Sequence, residues 1–176
     1  ENVDSGVLFI RGGDIYAGKI SVENLRKISH SISNSYKRTI LQGGEILISL
    51  VGYPGEAAIV PDSLAGANIA RQAALIRLNK DKAVSVEYVC FFLLSNMGKR
   101  LLLNETFGSA QQVINLKDIN KLVVVLPREK NEQTAITEIL SDMDAEIDML
   151  EAKLAKSRQV KVGMMQELLT GKVRLV

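Results

Sequence analysis

The chain has no tryptophan, one cysteine and one histidine among its 176 residues, and these shortages exclude several kinds of site. A lone cysteine, Cys90, cannot form a disulfide within the chain, which agrees with a reducing cytoplasm. One cysteine and one histidine, His30, are too few for a metal cluster or a Cys–His dyad. We therefore expect no metal site, and we interpret Cys90 as a small core residue and His30 as a surface residue.

Long hydrophobic runs and catalytic signatures are also missing. The run Val89–Leu94 is far shorter than the ~18 apolar residues that a membrane-spanning helix needs. The Asn/Asp-Pro-Pro-aromatic motif of an amino-methyltransferase does not occur. Gly171-Lys172 matches the end of a phosphate-binding loop, but Gln166 occupies the place of its first glycine, and Gly171 closes a helix. The sequence thus predicts a non-catalytic cytoplasmic protein with no cofactor and no membrane contact.

The charges divide unevenly along the chain. Residues 128–176 carry 8 Lys/Arg and 9 Asp/Glu, which leaves 14 and 11 for residues 1–127. The first part is therefore positive by 3 and the second negative by 1. So small an excess does not by itself indicate a DNA-binding surface, which requires cations gathered on one face.

Residues 1–126 have the pattern of a small α+β domain. The predicted strands are Val7–Ile10, Glu45–Val51, Ala57–Val60, Ala73–Leu78 and Leu122–Leu126. Tyr53-Pro54-Gly55 predicts a hairpin turn, because a Pro-Gly pair supplies both backbone conformations that a tight turn needs. Ser85 to about Asn104 is predicted as one helix with Ser85 as its N-cap, and Asn115 as the cap of a short helical turn.

After Pro127 the apolar residues recur at alternating spacings of 4 and 3. The positions of this seam are Ile136, Leu140, Met143, Ile147, Leu150, Leu154, Ser157, Lys161, Met164 and Leu168. All but Ser157 and Lys161 are apolar, which predicts a coiled-coil helix with Asn131 as N-cap and Gly171 as its end. At 1.5 Å per residue it would be roughly 57 Å long.

A single helix of this kind is not stable alone in water, so the seam needs a partner. The two interpretations are a helix packed on its own domain and a helix paired antiparallel with a second copy; length and repeat favour the second, a homodimer. The polar positions Ser157 and Lys161 either select the register of pairing or let Lys161 extend its charge into water.

Several motifs together resemble one protein family. At the helical end they are Leu126-Pro127, Asn131-Glu132-Gln133, Asp142 to Asp144 and Leu168-Leu169-Thr170-Gly171-Lys172. Upstream they are Gly13-Asp14-Ile15, Gly44–Ser49, Gly66–Ile69 and Gly108–Gln112. With these motifs the chain resembles the DNA specificity (S) subunit of type I restriction–modification systems.

The resemblance implies a small mixed-sheet target-recognition domain over residues 1–126 and a spacer helix over residues 127–176. Full members of the family carry two of each, so the chain resembles a half-subunit. The family reads double-stranded DNA without catalysis or cofactor. Methyl transfer belongs to its methyltransferase (M) subunits and cleavage to its restriction (R) subunit, and these are the expected protein partners.

Candidate DNA contacts are polar residues in loops, because a rigid scaffold displays its reading residues there. The cations suited to phosphates are Lys19, Lys37 and Arg38. The side chains suited to base edges are Asn68, Arg71, Gln72, Ser109, Gln111 and Gln112. The competing interpretation is that each is an ordinary solvated loop residue.

Two other functions remain open at this point. A coiled-coil adaptor would use the same helix while its α+β domain binds protein instead of DNA. A DNA methyltransferase fragment would need cofactor and catalytic motifs, and the missing motifs argue against it.

Overall fold

The structure is a computed structural model that describes residues 5–79, 84–103 and 114–175. Its contacts divide the chain into two compact units, 1–134 and 135–176. The strands of the first unit are β1 (Val7–Ile10), β2 (Ile15–Tyr16), β3 (Lys19–Ile20), β4 (Arg26–Ile28), β5 (Ile46–Ser49), β6 (Ala57–Ile59), β7 (Asn68–Ile69) and β8 (Ala73–Ile76). Its helices are α1 (His30–Ser35), α2 (Val86–Leu94), α3 (Asn96–Leu103) and α4 (Leu116–Lys121). A fifth helix, α5 (Lys130–Leu169), begins in the first unit and forms most of the second.

Within the described residues the strands form three small sheets, which confirms the predicted α+β class with a mixed sheet followed by one long helix. One sheet has the order β4-β1-β7, with β1 antiparallel to β4 and parallel to β7. A hairpin pairs β2 with β3. The third sheet is antiparallel with the order β6-β5-β8. The predicted functional boundary after residue 126 stays a prediction.

Strand β5 lies at the centre and is buried on both faces. Alternate side chains of a strand point to opposite faces. Leu47 therefore packs with Ile10 and Ile15 in one core, whereas Ile46 and Ile48 pack in a second core that includes residues of α2 and α3. All four residues of β5 are buried, so its run of large apolar residues suits a strand enclosed between two layers.

The hairpin predicted at Tyr53-Pro54-Gly55 is confirmed. Strands β5 and β6 pair antiparallel with Ile48 opposite Ala57. Gly52 and Gly55 have φ of +102° and +87°, a conformation that other residues rarely adopt, so the turn depends on them.

The single helix predicted from Ser85 is wrong, because α2 and α3 are separate helices that meet at Ser95. Ser85 does cap α2, since its Oγ accepts a hydrogen bond from the N–H of Tyr88 at 3.1 Å. The Ser95 Oγ accepts from the N–H of Gly98 at 3.1 Å and so caps a new helix. A Cβ on Gly98 would lie 2.1 Å from the carbonyl oxygen of Phe92, so only glycine permits so tight a junction. Asn104 lies outside the described residues.

The strand predicted over Leu122–Leu126 is also wrong, because no described residue pairs with it in a ladder. The segment keeps a strand's alternation: Leu122 and Val124 pack against the second core, whereas Val123 and Val125 are exposed. The segment has residues with high β propensity, but a strand also requires an adjacent strand with which its backbone can form hydrogen bonds.

Gln133 anchors the first turn of α5 within the first unit. Its side chain is fully buried; Oε1 accepts from the N–H of Ser85 at 2.8 Å, and Nε2 donates to the carbonyl of Pro127 at 2.8 Å. The predicted N-cap Asn131 is wrong, since α5 already begins at Lys130. Asn115 does precede α4, but its side chain makes no capping hydrogen bond.

In the second unit, α5 ends where predicted. Gly171 has φ of +73°, and its N–H donates to the carbonyl of Leu168 at 3.2 Å, which is a left-handed glycine cap. The 40 residues of the helix give it a length of about 60 Å. Among the described residues, no helix has the length and apolar character needed to cross a membrane.

We predict that Gln133→Ala lowers the free energy of unfolding by about 1–3 kcal/mol, because it leaves the N–H of Ser85 and the carbonyl of Pro127 without partners. Urea denaturation would measure the change. The control is Asn131→Ala, an exposed position two residues away that should leave the midpoint nearly unchanged. Equal midpoints for the two variants would contradict the anchoring role of Gln133.

Candidate nucleic-acid interface

Two of the predicted phosphate contacts, Lys37 and Arg38, lie on one short turn. This basic turn (Lys37–Thr39) is a single 3-10 turn directly after α1, and both cations are exposed. The Thr39 Oγ1 donates to the carbonyl of Tyr36 at 2.8 Å and closes the turn from within. The two charged side chains therefore extend from a backbone with a defined conformation.

Asn68 holds the basic turn from inside the domain, and the prediction that it reads bases is wrong. It is 1% exposed, and its Oδ1 accepts from the Ser33 Oγ at 2.6 Å. Its Nδ2 donates to the Thr39 Oγ1 at 3.0 Å and to the carbonyl of Tyr36 at 3.3 Å. With both ends of its amide engaged and no exposure to solvent, Asn68 acts as a positioning residue.

Arg77 holds the basic turn from its other side. Its guanidinium donates to the carbonyls of Ile40 at 2.7 Å and Arg38 at 3.3 Å, and to the Glu45 Oε1 at 3.2 Å. Glu45 is 6% exposed, and its carboxylate also accepts from the N–H groups of Gln42 and Gly43. A buried carboxylate needs such partners to offset its desolvation, and here they also fix the chain around Arg38.

Arg71 and Gln72 form the turn between β7 and β8, and both side chains are exposed. The N–H of Ala73 donates to the carbonyl of Ala70 at 2.9 Å, and the carbonyl of Gln72 accepts from the N–H of Leu50 at 2.8 Å. Gly12 lies directly beneath: a Cβ there would be 2.6 Å from the carbonyl oxygen of Gln72. The turn thus presents an arginine and a glutamine from a backbone held by β5.

Lys19 lies on the β2–β3 hairpin. Its turn has φ of +49° at Ala17 and +76° at Gly18, the left-handed pair that suits a two-residue hairpin loop. Lys19 is exposed and lies opposite Tyr16 in the strand register. The ring of Tyr16 contacts that of Tyr53, with centroids 4.7 Å apart. This aromatic pair (Tyr16 and Tyr53) was not predicted; its only sequence signal is a tyrosine beside each of two glycine-containing turns.

The predicted contacts fall at two ends of the antiparallel sheet. Strand β8 leads from the Arg71–Gln72 turn to Arg77, which contacts the basic turn. The five steps along the chain from Gln72 to Arg77 span about 16 Å at roughly 3.3 Å per step. The aromatic pair lies at the Arg71–Gln72 end, because Tyr53 follows the end of β5 closely. The structure therefore brings Arg71 and Gln72 together and keeps them apart from Lys37 and Arg38.

The predicted contacts Ser109, Gln111 and Gln112 lie outside the described residues. Ile114, the first described residue after them, donates its N–H to the carbonyl of Leu50 at 3.2 Å. A shallow cleft beside it is lined by Arg71 and by residues 114–118. The chain following the predicted polar loop is thus anchored next to the Arg71–Gln72 turn.

Cys90 and His30 occupy the settings expected from the sequence. Cys90 is 5% exposed, and burial, with a smaller contribution from the nearby Glu87 carboxylate, raises the pKa of its thiol to about 12. A thiol so weakly acidic is a poor nucleophile at neutral pH. His30 is exposed at the start of α1. Within the described ranges, no group of three or more His, Cys, Asp or Glu is placed to hold a metal ion.

Comparison with known proteins agrees with the resemblance. The specificity subunit of the type I restriction enzyme EcoBI from Escherichia coli is 30% identical over 155 residues, which are 88% of this chain and 32% of that protein. The MjaVIII specificity subunit from Methanocaldococcus jannaschii is 24% identical over 179 residues, 99% of this chain and 42% of that protein. The chain therefore spans about a third to two fifths of the length of these relatives.

Solved structures share the fold. The HsdS subunit from Thermoanaerobacter tengcongensis superposes with a TM-score of 0.64 at 17% identity, covering 91% of this chain and 41% of that one. The S subunit of a type I restriction–modification system from M. genitalium superposes with a TM-score of 0.61 at 17% identity, covering 94% of this chain and 39% of that one. Because residues 3–157 also match the family described as type I restriction modification DNA specificity domain, the chain belongs to that family.

Proposed function

We propose that the chain is a DNA-recognition half-subunit of a type I restriction–modification assembly. Residues 1–126 read one short half of a bipartite double-stranded DNA target, and the helix pairs with a second copy to set the gap between the halves. The family match supports this function, and so does the similarity to named specificity subunits.

The observation that carries the proposal is the Arg71–Gln72 turn. Arginine can bond bidentately to guanine and glutamine to adenine in the major groove. Reading requires that such side chains extend from a fixed backbone, and this turn is tied to β5 through Leu50 and packed on Gly12. Both side chains are exposed, so they can reach a base edge without rearrangement of the core.

The basic turn supplies phosphate contacts that complement the base contacts of the Arg71–Gln72 turn. Lys37 and Arg38 lie at the other end of β8, where Arg77 contacts the Arg38 carbonyl, so cations at one end can hold phosphates while the other end meets bases. Lys19 adds a cation at the Arg71–Gln72 end. Phosphate contacts supply most of the affinity and set the register of the protein on the duplex, whereas base contacts set the sequence preference.

The seam of α5 supports pairing between copies. Its central side chains are about half exposed: Met143 56%, Ile147 51%, Leu150 54% and Leu154 49%. An apolar stripe of this length marks an interaction surface. Two antiparallel copies would relate their domains by a two-fold axis, so the homodimer would prefer an interrupted palindrome.

Catalysis belongs to other chains in this proposal. Methyltransferase subunits dock on the dimer in the cytoplasm and modify the DNA that it holds, and the restriction subunit joins through them. The chain itself contributes no cofactor and no reacting group.

Salt dependence of duplex binding separates this function from that of a coiled-coil adaptor. Each phosphate contact lowers the slope of log K against log[salt] by about 0.9, so affinity for duplex DNA should fall steeply with salt. Fluorescence anisotropy over a salt series measures the slope. Absence of duplex binding at low salt, with and without methyltransferase subunits, would overturn the proposal.

Substitutions at the two ends of the sheet should have different effects. We predict that Arg71→Ala reduces discrimination between bases at one position, by about 1–3 kcal/mol. Lys37→Ala should weaken binding to all sequences alike. It should also make the slope of log K against log[salt] less steep by about one, because one phosphate contact is lost. Selection from a random duplex pool, followed by titration of the selected sites, measures both effects. An unchanged base preference for Arg71→Ala would remove that residue from the reading role.

The seam predicts the assembly state. We expect the double variant Ile147→Asp, Leu150→Asp to sediment as a monomer, because each charge would enter the apolar interface of a pair. The control places the same two charges off the seam, at Met149 and Ala152, and should remain dimeric. Identical sedimentation of the seam variant and the unmodified chain would refute pairing through these residues.

A further inference from the structure

The aromatic pair has an exposure that the fold of the domain does not require. Tyr16 is 58% exposed and Tyr53 is 48% exposed, although their ring centroids lie only 4.7 Å apart. The two residues are 37 positions apart in sequence: Tyr16 ends β2, and Tyr53 lies in the turn between β5 and β6. They form one apolar ridge on the surface, and tyrosine is a residue enriched at interfaces because its ring is apolar and its hydroxyl stays in water.

Hydrogen bonds that do not involve the rings hold the two turns in place. The N–H of Ala17 donates to the Glu56 Oε2 at 2.9 Å, and the Lys99 ammonium binds the other oxygen of the same carboxylate. The N–H of Gly55 donates to the carbonyl of Ser49 at 3.0 Å. Because these bonds define both turns, the contact between the rings is not needed to hold the loops together.

The surroundings of the ridge point to nucleic acid. Lys19 lies opposite Tyr16 in the hairpin register and supplies a cation suited to a phosphate. Gly52, beside Tyr53, packs against Gly13: a Cβ on Gly52 would lie 3.4 Å from the Gly13 Cα. Gly12 in turn supports the Arg71–Gln72 turn. A cation beside exposed apolar rings can contact a phosphate while the rings contact the apolar parts of the same duplex surface.

We infer that the Tyr16–Tyr53 pair is a DNA contact, one that rests on the proposed function and adds two residues to it. The ring planes meet at 51°, so the pair offers no flat platform on which a base could stack. It is a ridge whose apolar faces pack on deoxyribose and thymine methyl groups at the duplex surface, while Lys19 engages the adjacent phosphate. The contact adds affinity without adding charge.

The double variant Tyr16→Ala, Tyr53→Ala tests this contact. Its affinity for a duplex selected by the unmodified chain should fall by roughly 10-fold or more, because the apolar surface that both rings bury against the duplex is lost. The salt slope should stay unchanged, since no cation is removed. The matched control Tyr16→Phe, Tyr53→Phe keeps the apolar area of both rings and should bind within about 2-fold of the unmodified chain.

A second measurement uses the unmodified chain and does not depend on how the variants fold. Bound duplex should protect Tyr16 and Tyr53 from nitration by tetranitromethane, as read by peptide mass. Unmodified affinity of the alanine variant, or equal nitration with and without DNA, would overturn the inference and leave the proposed function intact. A phenylalanine variant as weak as the alanine variant would overturn the apolar contact. Failure of the unmodified chain to bind any duplex would overturn both proposals.

Discussion

The enclosure of β5 between two apolar layers is the constraint on which the rest of the first unit depends. Leu47 packs to one side while Ile46 and Ile48 pack to the other, so one four-residue strand belongs to both cores. The residues on either side of β5 form hydrogen bonds to other segments. The Glu45 carboxylate, before the strand, accepts from the N–H of Gln42, and the N–H of Leu50, after it, donates to the carbonyl of Gln72. The Arg71–Gln72 turn is therefore bonded to the residue after this strand, and Arg77, which contacts the basic turn, is bonded to the residue before it.

Buried polar side chains fix the conformation of the surface turns that they contact. Asn68 and Glu45 are almost fully buried; Asn68 bonds backbone and hydroxyl groups of the basic turn and of α1, and Glu45 bonds the backbone of Gln42 and Gly43 and the guanidinium of Arg77. Buried polar networks are stabilising only when every group has a partner, and then they specify one conformation. In the described part of the chain, no buried side-chain polar atom lacks a hydrogen bond. The conformation of the basic turn is thus held by hydrogen bonds from buried side chains beneath it.

Much of the fold followed from local pattern. The β5–β6 hairpin and the glycine end of α5 were predictable, because each depends on residues close in sequence. The division of one helix at Ser95 and the unpaired segment at Leu122–Leu126 were not. The first depends on how Gly98 meets the end of α2, and the second on the absence of a neighbouring strand in the described part.

In the candidate site, too, some features could be predicted from local sequence and others depended on tertiary contacts. The sequence by itself determined the α+β class, the spacing of the seam and the cations of the basic turn, since periodicity and residue type are local properties. Only the tertiary structure decided that Asn68 faces inward, because its partners Ser33 and Thr39 lie 35 and 29 positions away. It also decided that Tyr16 meets Tyr53 at the end of the sheet that carries Arg71. The direction of a loop side chain depends on what surrounds it in space, and linear order does not record that.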